Sequence, residues 1–189
     1  EPGDRVVALV PTYQQHYSIP ASIGADVRLL RLREENGFLP DLDELRALVG
    51  THAKLIAFSN PNNPTGSRMD EAMLGQITEI ARQSGAYILA DEVYRGLNQQ
   101  GSGTTASIAD IYEAGISTGS MSKAFSLAGL RLGWLVAPAE VIAAVSVHRD
   151  YNTISVGMID DYFASLALEA KDAILTRNRE IVRGNLAIL

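Results

Sequence analysis

Short runs of apolar residues recur along the chain, and segments with helical periodicity separate them. Runs rich in β-branched side chains are typical of strands that are buried on both faces. We predict strands at residues 5–10, 27–32, 54–58, 86–90 and 133–137, and a further short segment at 116–118. Helices are predicted at residues 13–23, 71–83, 139–149 and 159–189. Another helix should begin at Pro40-Asp41, and a loop is expected at residues 99–107.

The alternation of buried strands with helices predicts an α/β fold. We expect a three-layer α/β/α sandwich whose mostly parallel sheet is covered on both faces. In such sheets, ligands bind beyond the carboxyl ends of the strands. Four polar residues follow predicted strand ends and should therefore share one rim: Asn63, Asp91, Tyr94 and Ser120.

Composition and charge narrow the class of partner. Hydrophobic residues make up 47% of the chain, which is typical of a globular protein. A net charge of −6 without a basic cluster argues against nucleic acid and for a small molecule. The absence of cysteine excludes disulfides and cysteine-bound metals. His16, His52 and His148 lack the spacing of metal ligands, so we interpret them as ordinary surface or helix histidines and expect no metal.

The ends of the chain suggest its context. No apolar run reaches the roughly 20 residues of a membrane span, and no signal peptide precedes Glu1, so we expect a soluble cytoplasmic protein without membrane contacts. The sequence starts without methionine and stops inside a predicted helix. We interpret it as an internal piece of a longer protein.

The richest candidate chemistry surrounds Lys123. It lies among small hydroxyl, apolar and glycine residues, and Arg131 follows eight positions later in an apolar setting that suggests a buried anion. We expect the amine to be partly desolvated, because desolvation lowers a lysine pKa and makes the amine nucleophilic toward a carbonyl. Taken alone, a lysine in such a stretch is far more often an ordinary surface lysine in a loop, and Arg131 alone could be a surface arginine.

The candidate residues together form a coherent set. They supply an amine, a carboxylate, a phenol, an amide, a hydroxyl with a guanidinium and, at Tyr13, a flat ring. These groups suit an aromatic heterocycle with an aldehyde, a phenolic oxygen, a ring nitrogen and a phosphate. Pyridoxal 5'-phosphate has that structure.

Three motifs carry a resemblance to a known family. They are Asn60-Pro61-Asn62-Asn63-Pro64-Thr65-Gly66, Asp91-Glu92-Val93-Tyr94, and Ser120-x-Ser122-Lys123 followed by Arg131-x-Gly133. In order and spacing the chain resembles the large domain of the fold-type I pyridoxal-phosphate enzymes, specifically the class I/II aminotransferases. Pro11-Thr12-Tyr13 is a weaker fourth match.

The resemblance implies a role for each matching residue. Lys123 would hold the cofactor as a Schiff base and move the proton from the substrate, with Asp91 on the pyridine nitrogen and Tyr94 as a third catalytic residue. Asn63 and Tyr94 would bind the phenolic oxygen. The phosphate ligands would be Ser120, Arg131 and, with less support, Ser122, and Tyr13 would stack on the ring. The resemblance also implies cis peptide bonds at Val10–Pro11 and Asn63–Pro64 and one antiparallel strand at residues 133–137.

The function implied is that of an aminotransferase, which moves an amino group between an amino acid and a 2-oxo acid. A lyase, decarboxylase or cyclase on the same scaffold is one alternative, and an effector domain of a transcription regulator is another. Residues 1–189 would form an incomplete cofactor-binding large domain that ends near the helix to the small domain. The phosphate loop and the carboxylate-binding arginine would lie elsewhere, so the fragment should be weakly active at most. A homodimer is expected, with residues 151–157 nearest the partner.

Overall fold

The computed structural model describes residues 1–101 and 104–189, so Ser102 and Gly103 of the predicted loop 99–107 lie outside the described residues. The chain divides into two compact units. The N-terminal unit comprises residues 1–92 and 106–117, and the C-terminal unit comprises residues 93–105 and 118–189.

A six-stranded sheet is the framework of the described chain. Its strands are β1 (Arg5–Val10), β2 (Asp26–Arg31), β3 (Ala53–Ser59), β4 (Tyr87–Asp91), β5 (Gly115–Ser120) and β6 (Gly133–Val136), in the order β2-β1-β3-β4-β5-β6. The β1–β2, β1–β3 and β3–β4 pairs are parallel. β1 and β3 each lie between two neighbouring strands and are mostly buried, which explains why they appear in the sequence as apolar runs. β2 lies at the edge of the sheet, and only Leu30 of its six residues is buried.

The last strand runs in the opposite direction. The Met121 N–H donates to the Leu132 carbonyl over 3.0 Å, and a Cβ placed on Gly133 would lie 2.8 Å from the Gly119 carbonyl oxygen. Residue numbers therefore rise along β5 while those of the facing residues in β6 fall, which is an antiparallel register. The predicted α/β fold with a mostly parallel sheet and one antiparallel strand is confirmed.

Helices flank the sheet, and several of their ends follow the sequence signals. They are α1 (Gln15–Ser22), α2 (Leu42–Val49), α3 (Glu71–Ser84), α4 (Ile108–Ile111), α5 (Ala139–Arg149), α6 (Met158–Glu169) and α7 (Lys171–Leu186), with 3-10 turns at Glu34–Asn36 and Ala128–Leu130. The Asp41 carboxylate accepts from the backbone N–H groups of Asp43 and Glu44, and Asp70 accepts from Met73. These carboxylates satisfy donors that have no partner within the helix.

Two helix predictions were wrong in extent. The single helix expected at residues 159–189 is two helices, because Ala170 (φ −93°, ψ 14°) leaves the helical conformation between them. Neither glycine nor proline marks that break in the sequence. The helix predicted from residue 13 begins at Gln15, because a bend at Pro11 and Thr12 and a turn at Gln14 separate β1 from the helix.

Each unit has its own apolar core. In the N-terminal unit, Leu45, Ile56, Ile77 and Ile88 are fully buried, and each stabilises the fold by about 1.5–3 kcal/mol through burial alone. The core of the C-terminal unit consists of residues from the turn after β5 and from α6: Met121, Ala124, Phe125, Ala164 and Ala167. No helix in the described ranges is long and apolar enough to cross a membrane.

Candidate active site

In the N-terminal unit, Asp91 is the last residue of β4, at the carboxyl end of the parallel strands. It pairs with Ser59 of β3, and its backbone carbonyl accepts from the Asn60 N–H over 2.9 Å. The Asp91 side chain is only 16% exposed, and its Oδ2 lies 3.9 Å from His16 Nε2. A carboxylate that is so little hydrated is suited to face a cation or a polarised N–H group.

His16 is a site residue that the sequence interpretation missed. The imidazole is buried at the start of α1, and its Nδ1 lies 3.0 Å from Thr12 Oγ1, which in turn lies 3.4 Å from Ser59 Oγ. Burial lowers the pKa of His16 below its ordinary value, and the Asp91 carboxylate opposes part of that effect. A neutral ring that accepts from Thr12 at Nδ1 carries its proton on Nε2, toward Asp91. The available signal was its position three residues after Tyr13, at a strand-to-helix connection.

The loop after β3 carries Asn63 and is held by its neighbours in the same motif. Asn62 Nδ2 donates to the Pro11 carbonyl over 3.1 Å and to Thr65 Oγ1 over 2.8 Å. Asn60 exchanges two hydrogen bonds with the backbone of Met69, at 3.0 and 3.1 Å. These buried amides fix the loop, and Asn63 lies half-buried within it.

Backbone geometry in this region agrees with the resemblance and adds to it. The peptide bonds Val10–Pro11 and Asn63–Pro64 are cis, as implied, and Asn60–Pro61 is a third cis bond that the sequence interpretation did not include. Tyr13 follows the first of these bonds. The residue is 47% exposed, and its ring meets the His16 ring edge-on, with 6.4 Å between centroids. A partly exposed aromatic side chain of this kind can stack on a flat ligand.

In the C-terminal unit, Lys123 lies in the turn that follows β5. Ser120 Oγ accepts from the Ser122 N–H over 2.9 Å, and Arg131 Nη1 lies 3.5 Å from Ser122 Oγ. Arg131 Nη1 also donates to the Ala128 carbonyl over 2.8 Å. Two hydroxyls and a guanidinium thus form one cluster beside the lysine, a combination suited to a phosphate.

Exposure of this cluster corrects two expectations. Lys123 and Arg131 are both exposed, so the expected partial desolvation of the lysine and the buried-anion setting of the arginine are wrong for this structure. The physical reason is the direction of the neighbouring side chains. Met121 and Ala124, on either side of the lysine, point into the apolar core and leave the lysine on the outside of the turn.

Tyr94 is half-buried in the C-terminal unit, and a backbone hydrogen bond connects the residue before it to the turn that carries Lys123. The Val93 carbonyl accepts from the Ala124 N–H over 3.2 Å, so Tyr94 and Lys123 are each adjacent to one member of a bonded pair. The described parts of the chain contain no group of three or more histidine, aspartate and glutamate side chains that could hold a metal ion.

The candidate residues therefore fall into two groups, each assembled within one unit. The N-terminal unit brings together Asp91, Tyr13 and the unforeseen His16, with Asn63 on a neighbouring loop. The C-terminal unit brings together Ser120, Ser122 and Arg131 in the turn that carries Lys123, and Tyr94 follows Val93, which bonds to this turn.

Comparisons with known proteins show what the chain is similar to. Capreomycidine synthase from Streptomyces vinaceus is 33% identical over 182 residues, which cover 96% of this chain and 46% of that protein. Aspartate aminotransferase from Pyrococcus horikoshii is 34% identical over 151 residues, or 80% of this chain and 39% of that protein. Among solved structures, a PLP-dependent aminotransferase from Streptococcus suis 89-1591 has a TM-score of 0.94 and 48% identity over 100% of this chain and 50% of its own.

A second solved structure, N-succinyldiaminopimelate aminotransferase from Mycobacterium tuberculosis, has a TM-score of 0.89 and 30% identity over 97% of this chain and 49% of its own. The chain thus spans about half the length of the relatives it matches. The family model described as aminotransferase class I and II matches residues 1–184. With that match, and with the three motifs placed at strand ends and turns, the chain belongs to the class I and II aminotransferases.

Proposed function

We propose that the full-length protein is a pyridoxal-phosphate-dependent aminotransferase that moves an amino group between an amino acid and a 2-oxo acid. The observation that carries the proposal is the exposed Lys123 amine in a turn that also presents Ser120, Ser122 and Arg131. Family membership and relatives named as aminotransferases support it.

The residues present fit the cofactor by the chemistry of their side chains. Lys123 offers the amine that bonds to the cofactor aldehyde, and Ser120, Ser122 and Arg131 offer phosphate ligands. The scarcely hydrated Asp91 carboxylate suits a protonated pyridine nitrogen, because an opposite charge stabilises the ionised form of each partner. Asn63 and Tyr94 would donate to the phenolic oxygen, and the partly exposed Tyr13 would stack on the ring.

When bound, pyridoxal phosphate supplies an electron sink for the electrons released at the substrate Cα. Asp91 would hold the pyridine nitrogen in its protonated form, and His16, whose Nε2 lies 3.9 Å from Asp91 Oδ2, would help to position the carboxylate. The Lys123 amine would act as the base that takes the proton from the substrate Cα and as the acid that gives it back. Arg131, Ser120 and Ser122 would hold the phosphate group, and this would orient the bound cofactor relative to Lys123.

The architecture of the complete protein is part of the same proposal. Residues 1–189 would be the cofactor-binding large domain, and the substrate-carboxylate arginine would lie in the remainder of the chain. We infer a homodimer in the cytoplasm whose partners are small amino and 2-oxo acids rather than nucleic acid or membrane. The segment 151–157 carries Tyr151, which is 89% exposed, and we expect it to lie nearest the partner subunit.

One relative favours a second candidate. Capreomycidine synthase is named as a synthase rather than an aminotransferase, and it is 33% identical over 96% of this chain. The alternative is a lyase, decarboxylase or cyclase that uses the same cofactor and the same lysine. Such an enzyme would differ in which bond to Cα is broken, and this depends on residues in the remainder of the chain.

The first experiment uses full-length protein with Lys123→Ala, and Lys171→Ala as the control at an exposed lysine of α7. Borohydride treatment with pyridoxal phosphate should attach the cofactor to Lys123 in the wild type and in K171A but not in K123A, as read by peptide mass spectrometry. If the wild-type protein carries no cofactor on Lys123 after this treatment, the proposed site is refuted.

The second experiment separates the two candidate functions. An amino acid is added alone to the cofactor-loaded protein. A stoichiometric conversion to the pyridoxamine form that stops until a 2-oxo acid is added identifies an aminotransferase. Continued turnover without a 2-oxo acid contradicts the proposal and identifies the alternative.

A further inference from the structure

The turn that carries Lys123 has no regular secondary structure of its own. It lies between β5 and the 3-10 turn Ala128–Leu130, so neither a strand ladder nor an α-helix fixes the lysine backbone. Two local bonds close it, from the Ser126 N–H to the Lys123 carbonyl (3.0 Å) and from the Leu127 N–H to the Met121 carbonyl (2.9 Å). These bonds shape the turn but do not attach it to other elements.

Among the described residues, Ala124, the residue after the lysine, makes two hydrogen bonds that attach the centre of the turn to other segments. Its N–H donates to the Val93 carbonyl over 3.2 Å. Its carbonyl accepts from Asn178 Nδ2 over 2.9 Å, across 54 positions of sequence. Asn178 belongs to α7, so this bond ties the backbone next to Lys123 to a sixteen-residue helix.

The Asn178 amide is held in one orientation. The residue is 5% exposed, and its Oδ1 accepts from Arg177 Nη1 over 3.0 Å while its Nδ2 faces the Ala124 carbonyl. Rotation of the amide by 180° would place Asn178 Oδ1 against the Ala124 carbonyl oxygen and Nδ2 against the Arg177 guanidinium, and neither contact is favourable. Both polar atoms of a buried side chain are therefore satisfied only in this arrangement.

The helix behind Asn178 is itself fixed against the turn. Ile174 and Leu175 of α7 pack against the apolar cluster that includes Ala124 and Phe125. Apolar packing sets the distance between α7 and the turn, but it is not directional. The hydrogen bond from Asn178 supplies the direction, because it requires the Ala124 carbonyl to point at the helix.

We propose that Asn178 is a positioning residue for Lys123. By binding the adjacent carbonyl, it holds the turn in the conformation that presents the lysine amine outward. This inference rests on the proposed function, since the role of Lys123 is what gives the orientation of the turn its importance.

The first test measures the turn without cofactor or substrate. Hydrogen exchange is followed by mass spectrometry in cofactor-free, full-length protein carrying Asn178→Leu, which is similar in size and cannot donate. Amides in the peptide covering residues 120–127 should exchange five- to tenfold faster, as expected for the loss of one hydrogen bond of ordinary strength. The matched control is Leu45→Ala in the core of the N-terminal unit, which lowers the melting temperature without touching the turn.

The second test uses the reactivity of the lysine. The rate at which borohydride traps pyridoxal phosphate on Lys123 should fall about five- to tenfold in N178L. Lys54 and Lys171, the other two lysines of this sequence, should react at their wild-type rates. A purely structural role would lower the melting temperature and leave the ratio between the three lysines unchanged.

The outcomes separate the two proposals. Asn178 is not a positioning residue if amide exchange in residues 120–127 is equally fast in N178L and L45A, compared at equal loss of melting temperature. The same conclusion follows if the trapping rate of Lys123 relative to Lys54 and Lys171 is unchanged in N178L. If pyridoxal phosphate never attaches to Lys123 in the wild type, the proposed function fails, while the exchange result still decides the role of Asn178. Should N178L not fold, N178S removes the same bond and is measured in the same way.

Discussion

Two glycines set the distance between β5 and β6, and a single methyl group tests their role. A Cβ built on Gly119 would lie 2.5 Å from Trp134 Cζ2, closer than real Cβ atoms approach other atoms. Trp134 also packs edge-on against Phe125, with 6.1 Å between ring centroids. The indole cannot retreat as a flexible side chain would, because its ring is rigid and already in contact on a second side. We therefore predict that Gly119→Ala forces β6 or the indole to move.

The size of the effect follows from two opposing contributions. Overpacking of this kind costs about 1–3 kcal/mol, whereas replacing glycine by alanine returns about 0.4–1 kcal/mol by restricting the unfolded chain. We expect a net loss of about 1–2 kcal/mol in the free energy of unfolding, and a melting temperature lowered by about 2–8 °C for a chain of this size.

The assay exploits the single tryptophan of this sequence. Trp134 is 37% exposed, so its emission maximum responds to any movement of the indole relative to water. Urea unfolding gives the free energy, and the native emission spectrum reports the displacement. Gly129→Ala is the matched control, because no atom lies within 4 Å of a Cβ at that position. It should leave both stability and emission unchanged or slightly improve stability.

The reasoning would be refuted by G119A protein whose stability equals that of G129A and whose emission maximum does not shift. Such a result would mean that the strands separate at no cost, and that the small residues at positions 119 and 133 are not needed for the close approach. A loss of stability without a change in emission would place the strain in the backbone rather than at the indole.

Two further predictions concern pH. Because the pKa of buried His16 is lowered, the unfolded state binds the proton more readily, so stability should be complete above the unfolded value near 6.5 and fall as pH drops below it. His16→Gln should reduce the dependence of the free energy of unfolding on pH, measured by urea unfolding between pH 7.5 and 5. His52→Gln, at an exposed histidine, should leave that dependence unchanged. The pKa of Glu113 is lowered to about 2 by its two hydrogen bonds from Arg82, so its contribution should be present above about 4.5 and be lost as pH falls toward 2. Glu113→Gln should reduce acid sensitivity in that window only slightly, since water screens this exposed pair, and an unchanged acid transition would contradict the assigned ion pair.

Features coded by neighbouring residues could be predicted from the sequence. The strand Arg5–Val10 has the predicted bounds, and Asp41 and Asp70 cap the helices they precede. Their signals lie within a few positions of each other, so no tertiary contact is needed to interpret them. The motif residues Asp91 and Ser120 also lie at strand ends as expected, because strand ends follow from the same local patterns.

Features that depend on distant residues could not be predicted in this way. His16 looked like an ordinary helix residue because its partner Asp91 is 75 positions away, and only the pairing of β1, β3 and β4 brings the two side chains together. The exposure of Lys123 was misjudged for a related reason. Its apolar neighbours indicated burial, but they fill the core themselves and leave the lysine outside.

The structure explains how an exposed lysine can still be precisely placed. At one end of its turn, the close approach of Gly119 and Gly133 brings Ser120 within 3.5 Å of the Leu132 carbonyl, and the Met121 N–H bonds to the same carbonyl. At the centre, Val93 and Asn178 bind the two sides of Ala124. The side chain of Lys123 is free to reach a ligand because the constraint is applied to the neighbouring backbone rather than to the amine. Desolvation is therefore not what prepares this lysine in the isolated chain. Hydrogen bonds to the neighbouring backbone fix the orientation of the turn, and this orientation is what prepares the lysine.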